Sequence, residues 1–144
     1  MIRRLAVVAL AGVLLAGCGS IKLSTAMISW AHDNGFVASA QTLGADAAHV
    51  ATALRTTSSG VNELHTVTGV LLLAAQSAQT QLPTPDDQAT QLLNSAYGSL
   101  GAAANVGYNA AHSPLKRAQA LALLAQGLAK LSEGSARVAT TSVL

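Results

Sequence analysis

A chain of 144 residues is long enough for one domain with its own core and short for two. Charged residues make up 10% and aromatics 3%, against roughly 25% charged in an average soluble protein. With 8 Lys and Arg against 6 Asp and Glu, and no cations interleaved with aromatics, nucleic-acid binding has little support.

The N-terminus reads as a targeting segment. Met1-Ile2-Arg3-Arg4 supplies a positive start, Leu5 to Leu15 an apolar stretch of signal-peptide length, and Ala16 and Gly17 the small residues before Cys18. The run Leu15-Ala16-Gly17-Cys18 resembles the lipobox of bacterial lipoprotein precursors. That resemblance implies cleavage after Gly17, with Leu15, Ala16 and Gly17 as the recognition residues. It also implies a diacylglycerol on the Cys18 thiol and usually an acyl chain on the new amine, these being the only non-peptide groups expected. One acyl chain gives reversible membrane attachment and two or more hold a protein there. Cys18 is the only cysteine, so lipidation leaves no intrachain disulfide and stability has to come from packing. The expected organisation is a signal peptide over 1–17, a lipidated tether over 18–24 and a helical domain over 25–144. Arg3 and Arg4 leave with the signal, and the mature balance becomes 6 basic against 6 acidic residues.

Alanine and leucine carry the hydrophobic content, and both favour helix. The first helix is expected from Thr25 to Thr57, with Phe36, Ala40, Leu43, Ala47, Val50 and Leu54 alternating spacings of four and three. Gly35 is the position that would kink or divide it. Thr56-Thr57-Ser58-Ser59-Gly60 breaks the pattern, and a second helix follows over about Val61 to Gln81 on a stripe of Val61, Leu64, Thr68, Leu71, Ala75 and Ala78.

In Leu82-Pro83-Thr84-Pro85-Asp86-Asp87, Thr84 is expected as N-cap and Pro85 as the first helical residue. The two carboxylates then face the positive end of the helix dipole. This third helix should run to about Ala111, with Ala89, Leu92, Ala96, Leu100, Ala103 and Ala110 inward. Gly98, Gly101 and Gly107 would loosen it or admit a neighbour. Ser113-Pro114 opens the last helix, whose stripe is Leu121, Leu124, Leu128, Leu131 and Val138. Lys116 and Arg117 fall unfavourably in its first turn. Short connections make successive helices antiparallel neighbours, so the expected fold is all-α, an antiparallel up-down four-helix bundle. The alternative is a three-helix bundle with an extended N-terminal helix. Alanine-rich seams predict close helices rather than a pocket of several hundred cubic ångströms.

The four histidines, His32, His49, His65 and His112, have no ligand spacing; Asp46 and His49 would make at most a two-ligand site, so no metal is expected. Catalysis has no constellation either. Tyr97-Gly98-Ser99-Leu100-Gly101 lies in a predicted helix, Glu63 and His65 face different sides, and Asp86-Asp87 is explained by helix initiation. Trp30 and Phe36 are the expected partner contacts, because aromatics dominate binding hot spots. Trp30 would otherwise cap the open end of the core or rest at the membrane interface.

The stretch from Met27-Ile28-Ser29-Trp30 to Leu54 and the Leu82-Pro83-Thr84-Pro85 joint resemble the small alanine-rich helical lipoproteins and exported proteins of actinobacteria and their phages. The resemblance carries over no active-site residue. The function expected is a noncatalytic lipoprotein on the outer face of the cytoplasmic membrane that binds an envelope protein or supports an envelope assembly. A phage-encoded superinfection-exclusion lipoprotein and a carrier for an apolar ligand are the alternatives.

Overall fold

The structure is a computed structural model that describes residues 19–143. It is all-α: α1 (Gly19–Asp33), α2 (Phe36–Arg55), α3 (Val61–Gln79), α4 (Asp87–Tyr108) and α5 (Pro114–Val143). The segment expected as a tether is helical from Gly19 onward. Leu15, Ala16, Gly17 and Cys18 lie outside the described residues. Among those described, no helix is long and apolar enough to cross a membrane.

The helix expected over Thr25–Thr57 is two helices. Gly35 has φ 56° and ψ 37°, the left-handed conformation that glycine adopts without steric cost. Its N–H donates to the His32 carbonyl at 3.0 Å, and the Asn34 N–H and side-chain amide both donate to the Trp30 carbonyl. These bonds close the end of α1, and α2 starts afresh at Phe36.

Helices α2 to α5 each pack against the next, and α5 returns to α2 to close the ring. The α4–α5 pair is the most extensive interface, and α1 lies mainly against α5. The observed core repeats at spacings of four and three on every long helix. On α4 it is Ala89, Leu93, Ala96, Leu100, Ala103 and Gly107; on α5 it is Ala120, Leu124, Gly127, Leu131, Gly134 and Val138. The expected stripes were offset where they followed the largest side chains. Leu92, Leu121 and Leu128 are only partly buried, and small residues take the inward positions.

Two glycines account for the closeness of α4 and α5. A Cβ on Gly127 would stand 2.8 Å from Leu100 Cγ and Cδ2, and one on Gly134 would stand 2.7 Å from Leu93 Cδ2. Both distances are below ordinary contact, so these positions let the leucines of α4 fill the groove along α5. Of the three α4 glycines expected to matter, Gly107 is packed, with Thr68 Cγ2 3.1 Å from its would-be Cβ. Gly98 faces open space.

The joint before α4 also differs from expectation. Asp86, not Thr84, is the N-cap, and its carboxylate accepts the Ala89 N–H at 2.7 Å. Thr84 is buried and builds the turn: its hydroxyl donates to the Asp86 carbonyl at 2.7 Å, while its own N–H donates to Thr90 Oγ1 at 2.9 Å. Both residues are good caps by type, and tertiary contact decides between them. At the start of α5, Ser113 does cap, accepting the Lys116 N–H at 3.2 Å.

Arg117 is not misplaced. Its Nη1 donates to the carbonyls of Ala53, Leu54 and Thr56, its Nη2 to Ser59 and Ala111, and its Nε to Ala110. The guanidinium therefore sits on the C-terminal carbonyls of α2, where the helix dipole favours a cation and backbone oxygens lack intrahelical partners.

Candidate functional site

An open apolar groove of about 650 Å³ lies between the start of α2 and the C-terminal half of α5, with Ala31 of α1 at its side. Its α5 wall carries Leu128, Leu131, Ser135, Val138 and Ser142, again at spacings of three and four. From Leu128 to Val143 this wall is about 22 Å long at 1.5 Å per residue. The α2 wall carries Phe36, Val37, Ala40 and Gln41. The expectation of no large pocket is thus corrected: alanine and serine leave space wherever two helix axes diverge. The groove opens beside the Asn34-Gly35 break, where α1 gives way to α2.

The lining has no Asp, Glu, Lys, Arg or His; its polar groups are three serines and Gln41. The Ser142 hydroxyl donates to the Val138 carbonyl within its own helix at 2.7 Å. The Ser142 carbonyl accepts from Ser24 Oγ of α1 at 3.1 Å, which satisfies one of the carbonyls exposed at the end of α5. An uncharged, elongated, mostly aliphatic groove is suited to hydrocarbon and offers little to a charged ligand.

Trp30 and Phe36 come together at this end of the molecule, with ring centroids 5.3 Å apart and planes tilted by 44°. Phe36 is 3% exposed and reaches the groove floor, so it belongs to the core as well as to the site. Trp30 is half-buried, and its Nε1–H donates to the Gln81 carbonyl at 3.0 Å. It therefore ties α1 to the α3–α4 joint and covers one end of the core. Around them, Ile28, Val37 and Val143 leave large apolar surfaces in water, with Val143 at 85% and Val37 at 65% exposed.

The other sequence candidates do not converge. Asp46 and His49 share only a small pocket of about 80 Å³ with Thr66, Val67 and Val70. Among the described residues no group of three or more His, Cys, Asp or Glu could hold a metal ion. His65 stacks on Tyr108 instead of meeting Glu63, with centroids 3.6 Å apart and planes 1° from parallel. Asp86 is engaged by Arg137, whose hydrogen bonds hold its carboxyl below the ordinary 3.8. Burial pushes the Tyr97 phenol up to about 12, so it stays neutral at any ordinary pH.

Sequence reasoning did not find the groove. Its α5 wall was legible as a periodic stripe, but a stripe does not say whether a partner helix covers it. Compared with family models, curated proteins and solved structures, the chain matches none of them.

Proposed function

We propose that this chain is a lipid-anchored envelope lipoprotein, a noncatalytic module held on the outer face of the cytoplasmic membrane through Cys18. There it binds an envelope protein or supports an envelope assembly. The observation that carries the reading is the order of the first eighteen residues: two arginines, an apolar stretch, then Leu15-Ala16-Gly17-Cys18. The start of α1 at Gly19 supports it, because the folded part then follows the anchor directly and would be held close to the bilayer. Membrane fractionation with intact mass spectrometry of wild type and Cys18→Ala tests it. The expected wild-type product begins at an acylated Cys18 and sediments with membranes, while the variant does neither. A soluble, unacylated wild type would overturn the reading.

The groove favours a second reading, a carrier for an apolar ligand, since about 650 Å³ falls within the range of small-molecule sites. Native mass spectrometry of the purified protein should then show a lipid bound without a covalent link. Its absence from protein extracted under mild conditions would remove this reading.

A further inference from the structure

We infer that the groove between α2 and α5 receives an acyl chain carried by Cys18 of the same molecule, so that part of the anchor is sheathed by the protein. This rests on the reading of Cys18 as lipidated. Three observations favour this occupant.

The first is position. Cys18 immediately precedes α1, and Gly19 lies about 8 Å along that helix from Ser24. Ser24 Oγ is bonded to the carbonyl of Ser142, and Ser142 lines the groove. A chain leaving Cys18 therefore starts within two helical turns of the groove's end. The second is charge. A free fatty acid or phospholipid brings a carboxylate or phosphate, and the lining has no cation to receive it. A chain whose polar end is covalently held outside the groove needs no such group. The third is shape and surface. The α5 wall is one continuous helical stretch of mostly aliphatic side chains interrupted by serines, and the exposed Val37 and Val143 flank it on both helices. Hydrocarbon along this wall would remove apolar surface from water without requiring any hydrogen bond.

The test uses the full chain, expressed in cells fed a fatty acid bearing a diazirine near its end and irradiated in isolated membranes. The expected result is a cross-link joining the Cys18 peptide to peptides from 36–41 or 132–143 of the same molecule. Ala139→Trp and Val37→Trp, both at exposed groove positions, should abolish that cross-link, whereas Ala129→Trp on α5 outside the groove should preserve it. Thermal melting shows that each variant is folded.

Four results would overturn the inference, and each is distinct. Photoproducts of free lipid on groove peptides would make the groove a carrier site. Cross-links between isotopically light and heavy chains would place the acyl chain in a second copy. An acylated Cys18 whose label reaches only bilayer lipid would leave the groove for a partner protein. An unmodified Cys18, read from intact mass, would end both this inference and the lipoprotein reading.

Discussion

Arg137 grips both oxygens of Asp86, with Nε 3.0 Å from Oδ1 and Nη2 2.7 Å from Oδ2. The same Oδ1 caps α4 through the Ala89 N–H. One carboxylate thereby starts a helix and fastens it to the C-terminal half of α5. Bidentate charge-assisted bonds are stronger than neutral ones, and the pair is part-buried, so screening is incomplete.

Asp86→Ala should destabilise the fold by about 2 kcal/mol, about half of it from the lost cap. Asp86→Asn keeps a good cap and loses the charge, so it should cost about 1 kcal/mol. The pH dependence has a definite sign. Because the folded carboxyl lies below its ordinary 3.8, the stabilisation is complete above that value and is lost as pH falls through the folded pKa. Urea unfolding at pH 7 and pH 3 should therefore show a smaller gap between wild type and Asp86→Asn at the lower pH. An unchanged gap would exclude the ion pair as its source.

Arg117 should be intolerant of a change that keeps its charge. Lysine has no planar fork and cannot reach carbonyls at both the α2 end and the α4–α5 turn, so Arg117→Lys should cost about 2 kcal/mol. Amide hydrogen exchange should quicken from Ala53 to Ser59, where those carbonyls lie. A lysine variant with wild-type stability and protection would mean that the six bonds contribute no more than a surface cation.

The glycines of the α4–α5 interface should separate by environment. Gly127→Ala places a methyl group against Leu100, including its backbone nitrogen at 3.1 Å, and should cost about 2 kcal/mol by overpacking. Gly134→Ala meets side-chain atoms of Leu93 and Leu92, with no backbone atom among its nearest contacts, and should cost less. Gly98→Ala, on the same interface helix but in open space, should instead stabilise by about 0.5 to 1 kcal/mol through helix propensity. Chemical denaturation of the three variants checks the order. Destabilisation by Gly98→Ala would mean that propensity is not the governing term there.

Much of the fold was legible because local chemistry and burial agree. The Thr56–Gly60 break, the α3 stripe from Leu64 through Thr68, Leu71 and Ala75 to Ala78, and the Ser113-Pro114 start all lie where the sequence places them, whereas Val61, expected on the same stripe, is exposed. What was not legible depends on contacts distant in the chain. Asp86 outranks Thr84 as a cap because Arg137, fifty-one positions later, holds it. Arg117 looks misplaced until α2 is brought beside it. Gly127 and Gly134 read as helix weaknesses on their own and become core positions only against Leu100 and Leu93. The groove belongs to this group too, since an alanine and serine stripe looks alike whether covered or open.

The break at Gly35 divides the load path of the molecule. α1 rests mainly on α5, and its described ties include one serine bond to Ser142, one indole bond to Gln81 and the buried Met27. The helices from α2 onward are held to one another around a closed ring. Tension entering at the N-terminus, where an anchored protein would feel its membrane, therefore reaches α1 before the ring. α1 shares a smaller interface with the ring than any of the four longer helices shares with the rest of it, and its buried Met27 is where such a pull would meet the core.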